Sequence, residues 1–185
     1  MTNPTENGPI FKVRTLAQNQ PTAFEVRPSK SELATIAGNL DLLDLRKVHL
    51  TGEIKAAGQS DWTLTARLGA TVVQPCVVTL DPVTTRIEAT VLRHYLSQMP
   101  EYGEDEEVEM PEDENAEQLG SEINIADVLF EALALNLPLF PRTTDAEMDT
   151  TAFTEPGKKA MTDEEAKPFA SLAAFRDKLG SSDDE

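Results

Sequence analysis

The chain has 185 residues, with 33 Asp and Glu against 16 Lys and Arg, and a formal net charge of −17. This size fits one domain with tails, and the charge argues against broad electrostatic capture of nucleic acid or an anionic membrane, since both need a positive surface. One Cys and two His leave neither a disulfide framework nor a thiolate- or histidine-rich metal centre, and 39% apolar with 5% aromatic residues is lean for a fully packed chain.

The charge is unevenly spread. Residues 1–99 carry 10 basic and 9 acidic residues, residues 100–122 carry 11 acidic and no basic ones, and residues 123–185 carry 6 basic and 13 acidic. A near-neutral body is thus interrupted and followed by acid. The first nine residues have neither a basic nor an apolar targeting region. The greasiest stretch, Ala126 to Phe140, is broken by Asp127, Glu131, Asn136 and Pro138 and is too short and polar to span a bilayer. These features predict a soluble cytoplasmic protein with no membrane partner.

Taken in chain order, Phe11-Lys12-Val13 and Phe24-Glu25-Val26 read as edge strands. Ser29-Lys30-Ser31-Glu32 reads as a capping box, in which the Ser hydroxyl and the Glu carboxylate each satisfy a backbone N–H of the first turn. Leu33, Ile36, Ala37 and Leu40 then share one helix face, and Gly38-Asn39 ends a short helix over about 31–39. Lys47–Ala56 and Asp61–Val72 alternate apolar and polar residues without a break, the mark of half-buried antiparallel strands, and Ala57-Gly58-Gln59-Ser60 turns between them. Cys76–Leu80 is predicted as a third strand closed by Asp81-Pro82, and Thr84–Leu96 as a fourth, with Ile87, Ala89 and Val91 inward.

Residues 100–122 read as an acidic flexible loop, because so many like charges with few large apolar residues cannot offset ordering entropy. Asn124 is an N-cap candidate for a second helix with Ile125, Val128, Leu129, Ala132 and Leu133 on its buried stripe and Pro138 closing it. The predicted fold class is α+β: a mainly antiparallel β-sheet, a meander, packed with a few short helices. Residues 1–140 form the domain, and residues 141–185 form a mostly disordered acidic tail. A short amphipathic helix over about 168–179 lies within that tail, begun by Pro168 and ended by Gly180.

No phosphate loop, nucleophile elbow or metal-binding helix is present, so no catalytic residue, cofactor or metal is expected and the chain does not read as an enzyme. His49 and His94 alternate to the solvent side and read as ordinary surface histidines. Cys76 reads as a small buried residue that packs as a hydrophobe. The acid run has two readings, a solvated loop or a strip that steers a basic partner, with Glu104, Asp105, Glu106 and Glu107 at its centre. Phe169, Leu172 and Phe175 give the tail helix an apolar face that docks on its own domain or on a partner.

Three stretches, Val73–Val83, Ser121–Pro141 and Lys167–Arg176, occur in this order with an acidic spacer before the second. In this the chain resembles the bacterial YceD family, linked to accumulation of large-subunit ribosomal RNA. Many family members have a Cys-x-x-Cys pair at the first stretch. Here Cys76 is followed by Val77, Val78 and Thr79, so no metal or redox role of that pair carries over.

The resemblance implies a non-enzymatic factor for synthesis, processing or stability of 23S rRNA. Combined with the net charge, it favours action through a basic ribosomal protein or assembly factor. The alternative is direct RNA contact through outward strand residues Lys47, Lys55, Arg67 and Arg86, although aromatic residues for base stacking are scarce.

Overall fold

The computed structural model describes residues 9–99 and 113–146, with 154, 155, 157, 158 and 161. The chain divides into two units, 1–144 and 145–185. In the second, Lys158 pairs with Glu155 at 2.6 Å.

The alternation read in the sequence folds as predicted. Five strands form the main sheet in the order β2-β3-β4-β5-β6: Thr22–Val26, Asp44–Ala57, Asp61–Pro75, Pro82–Leu96 and Ala116–Gln118. Neighbours are antiparallel except β5 and β6, which run parallel. A separate pair, β1 (Ile10–Lys12) with β7 (Glu122–Asn124), is antiparallel. A single 3₁₀ turn, Val13–Thr15, follows β1. The class is α+β, a mostly antiparallel sheet with two helices among the described residues.

Register puts Leu50 opposite Leu68, Ile54 opposite Leu64 and Gly52 opposite Ala66, so one face of the sheet is apolar throughout. Leu50, Ile54, Leu64, Leu68 and Val72 are fully buried there. Burial of such a side chain contributes roughly 1.5–3 kcal/mol. Helix α1 (Lys30–Asn39) starts at Ser29 with the full capping box, and its Ile36 and Ala37 join this core. Helix α2 (Ile125–Leu135) is capped by Asn124, whose Oδ1 accepts from the Ala126 N–H at 3.1 Å. Its Ile125, Val128, Leu129, Ala132 and Leu133 close the core, as their spacing predicts.

Three expectations change. Cys76–Leu80 is no strand; it is the connection between β4 and β5. Pro75 ends the ladder, Leu80 takes a left-handed φ of 64°, and Cys76 closes the loop by donating to the Asp81 carbonyl and accepting from the Leu80 N–H. Its apolar residues Val77 and Leu80 point to solvent. The loop expected over 100–122 is also shorter. Ala116–Gln118 extends the sheet, because Leu119 packs on the core and its N–H reaches the Leu96 carbonyl at 2.8 Å, while Ile123 is buried in β7. Finally, β3 starts at Asp44 and carries a bulge between Arg46 and His49, with Lys47 at φ 52°. The extra residue lets Leu45 before it and Val48 and Leu50 after it all face the core. The segment 100–112 and the helix expected over 168–179 lie outside the described residues.

Candidate functional site

The second face of the sheet is open and rich in threonine, with Thr51, Thr63, Thr65, Thr71, Thr84 and Thr90 among its outward residues. Its cations are mostly neutralised within their own strands. Arg27 pairs with Glu25 at 2.5 Å and Arg46 with Asp44 at 3.5 Å, while Lys55 pairs with Glu53 and Arg86 with Glu88. Every pair is two residues apart, the spacing that returns a strand side chain to the same face. Such exposed pairs add at most about 1 kcal/mol each to stability, but they cancel the field a phosphate backbone would feel.

Cations are densest on this face around Lys47, although Arg27 and Arg86 there keep their own-strand glutamates. The bulge at Lys47 turns His49 toward β5, and the His49 ring and Arg86 guanidinium meet above Gly69. A Cβ on Gly69 would lie 2.2 Å from His49 Cε1 and 2.6 Å from Arg86 Nη2. Arg86 Nη1 donates to the Lys47 carbonyl and to Thr71 Oγ1, each at 3.4 Å. The resulting pocket, about 490 Å³ and open to solvent, is lined by Arg27, Lys47, Val48, His49, Thr71 and Arg86. Its lining brings three cations and one imidazole together, two of the cations paired with Glu25 and Glu88.

Of the four cations expected to form a basic face, the structure brings Lys47 and Arg86 together. Lys55 lies toward the far end of β3, tied to Glu53, and Arg67 stands opposite Thr51 and Thr90. Arg27, His49 and Gly69 were not selected from the sequence, because only the bulge in β3 aims His49 at this spot. The acidic candidates Glu104, Asp105, Glu106 and Glu107, and the apolar ones Phe169, Leu172 and Phe175, lie outside the described residues.

A second feature occupies the end of the sheet where β4 meets β5. Leu43, Val77, Leu80, Leu139 and Phe140 are 57%, 51%, 76%, 85% and 77% exposed. Backbone bonds fix them near one another: Leu43 N–H to the Val73 carbonyl at 2.8 Å and Val77 N–H to the Pro141 carbonyl at 2.9 Å. The Gln74 side-chain amide adds a 3.2 Å bond to the Pro138 carbonyl. Five large apolar side chains are thus left to solvent on neighbouring segments at this end.

Cys76 sits at the base of this end. It is fully buried, as expected, yet it does not belong to the main apolar cluster. Its Sγ accepts from the Val78 and Thr79 N–H groups, each at 3.5 Å, and lies 3.9 Å from Thr143 Oγ1. These bonds, led by the Thr79 hydroxyl and then its N–H, bring the thiol down to about 6. Among the described residues no group of three His, Cys, Asp or Glu is placed to hold a metal ion. His94, expected as an isolated surface histidine, is held by Asp113, with Nδ1 2.5 Å from Oδ2. No helix among the described residues is long and apolar enough to cross a membrane.

No curated protein and no solved structure matches the chain. The family model for the large ribosomal RNA subunit accumulation protein YceD matches residues 64–176, from within β4 through α2 and beyond, and the chain belongs to that family.

Proposed function

We propose that this protein supports accumulation of 23S large-subunit rRNA as a non-enzymatic assembly factor, and that it does so by holding a basic ribosomal protein or assembly factor. The observation that carries this reading is the exposed apolar end formed by Leu43, Val77, Leu80, Leu139 and Phe140. It supplies contact area of the kind protein partners bury. The acid of the chain supplies long-range attraction for a basic partner, with Glu104, Asp105, Glu106 and Glu107 as the steering strip. Phe169, Leu172 and Phe175 add a further apolar stripe for the same partner.

The test replaces Leu139 and Phe140 with Ser in the full chain. Both side chains are exposed, so the fold should be kept. Capture of large-subunit proteins after RNase treatment should fall, and 23S rRNA should fall with it in cells carrying only the variant. Unchanged rRNA in those cells would sink the reading.

The basic pocket favours a second reading, direct contact with an RNA phosphate through Lys47, His49 and Arg86. Lys47→Glu would then weaken RNA retention at physiological salt and lower its salt dependence by about one contact.

A further inference from the structure

The long outer edge of β5 is open. β6 pairs only with His94, Tyr95 and Leu96, and among the described residues nothing pairs with β5 from Pro82 to Arg93 on that side. An open edge of this length is a template for another strand, and folded proteins usually blunt it with a bulge, a mid-strand proline, charged side chains, an inward-pointing charge or a short length; β5 carries Arg86 and Glu88 outward and Arg93 inward, but no bulge and no mid-strand proline. Here the β4–β5 register runs without a shift from Trp62↔Tyr95 to Pro75↔Pro82, and the only proline in β5 is its first residue. The other sheet edge, β2, is five residues long.

The sequence of the open edge reads the same from both directions in its chemistry. Thr84, Arg86, Glu88 and Thr90 point to the open face, and Val83, Ile87 and Val91 to the core face. Two copies of β5 placed antiparallel about a two-fold axis at Ile87 put position 86 opposite position 88 and threonine opposite threonine; in the single chain Arg86 leans over Gly69 and pairs with its own Glu88, so the contact exchanges that pair for one across the axis. On the core face they bring valine opposite valine and Ile87 opposite itself, with the unlike pair Thr85 and Ala89 between. Sliding the copies so that the axis moves by one residue sets Arg86 against Arg86 or Glu88 against Glu88. A slip by an odd number of residues in the pairing puts side chains on opposite faces against each other. Only the register centred on Ile87 matches unlike charges.

We propose that the outer edge of β5 takes a second copy of this chain, joining the two main sheets through an antiparallel β5–β5 pair around Ile87. The contact is isologous, so it closes at two copies and leaves no repeating edge to grow from. Opposite charges directly across a strand pair favour this register, and like charges disfavour its neighbours. The proposal does not use the apolar end, which is formed by other residues, but it shares Arg86 with the basic pocket, so the mass of the chain and not its RNA binding is the readout.

The experiment measures the mass of the full chain in solution across concentration, by sedimentation or light scattering. The expected mass is twice the 20.3 kDa of one chain at high concentration. Arg86→Glu and Glu88→Arg should each weaken the dimer about tenfold or more by setting like charges across the axis. The double variant, Arg86→Glu with Glu88→Arg, restores the pairing and should recover the dimer. Circular dichroism of each single variant separates loss of the dimer from loss of the fold, and the double variant stands as the second check. A monomer at every concentration would overturn the proposal. It would do so also if amide exchange found the edge protected independently of concentration, as when residues 100–112 of the same chain cover it. A dimer indifferent to both single reversals would place the contact elsewhere and overturn it equally.

Discussion

Arg93 points inward from β5 and pairs with Glu131 on α2 at 2.7 Å. The two ends are unequal: the Arg93 side chain is 13% exposed and that of Glu131 51%. Arg93 stands opposite Leu64, so its stem lies over the core while its head ties the sheet to the helix. Glu131→Ala should therefore cost more than Arg93→Met. The first removes the ion partner of a largely buried guanidinium that keeps its bond to the Leu92 carbonyl, at about 2 kcal/mol, while the second keeps an apolar stem and frees a half-exposed carboxylate to water, at about 1 kcal/mol or less. Urea unfolding of the two variants gives the order, and the reverse order would mean that repulsion among Glu117, Asp127 and Glu131 outweighs the stranded charge.

Cys76 behaves as a hydrogen-bond acceptor inside its turn, which reverses the usual ranking of its replacements. For a cysteine that packs only as a hydrophobe, Ala is the milder change. Here Cys76→Ala leaves the part-buried Val78 and Thr79 N–H groups without their acceptor. Cys76→Ser keeps an acceptor and should cost less than Cys76→Ala in the same unfolding assay. The native thiol sits near 6 in the fold against a higher value unfolded. Its stabilisation is therefore present at alkaline pH and lost as pH falls through about 6. Thiolate absorbance in the ultraviolet should follow that titration.

Much of the fold is legible because it depends on local rules. The capping box at Ser29 and Glu32, the Asn124 cap and the alternation from Val48 to Val72 each need only neighbours in sequence. Cys76–Leu80 misleads for a physical reason: Val77, Val78 and Leu80 look like strand residues, but Pro75 and the left-handed Leu80 turn the chain, and the thiol supplies bonds a ladder would have made. The basic pocket was half visible. Lys47 and Arg86 stand out as outward cations, but their meeting depends on a bulge at a lysine, where composition gives no glycine to signal it. The apolar end was not read, because Leu139 and Phe140 follow Pro138, which closes the helix, and no local rule brings them near Leu43, Val77 and Leu80.

Two glycines separate fold from pocket. On Gly52, a Cβ would lie 2.3 Å from the Thr65 carbonyl oxygen and 2.5 Å from Ala66 Cβ, so β3 and β4 would have to part. Gly52→Ala should destabilise by about 1–3 kcal/mol or more. On Gly69 the obstacles are the ends of His49 and Arg86, which can swing toward solvent. Gly69→Ala should leave the unfolding midpoint nearer to that of the native chain while shifting the His49 ring resonances in NMR. Equal losses at the two positions would show that the His49–Arg86 packing is part of the fold's stability.

Two carboxylates should give stability opposite slopes with pH. Asp61 accepts from the Ser97 N–H and hydroxyl, each at 2.8 Å, and these bonds, the N–H first, hold its carboxyl below the usual range. Its contribution is present above the unfolded value and lost as pH falls through the lower folded one. Glu117 is the reverse case: partial desolvation first, then the nearby Glu131, hold it above the usual glutamate range, with Arg93 opposing. A raised carboxyl binds its proton more tightly when folded. Stability therefore declines as pH rises from the unfolded value through the folded one, and the penalty stays in place at neutral pH. Glu117→Gln should raise the melting temperature at about pH 7 and change it little at about pH 3, where the native carboxyl is protonated in both states. Asp61→Asn should lower the melting temperature at about pH 7 and likewise change it little near the acid limit. Melting curves of both variants across this range decide the matter, and a Glu117→Gln gain that persists in acid would assign the effect to packing and not to charge.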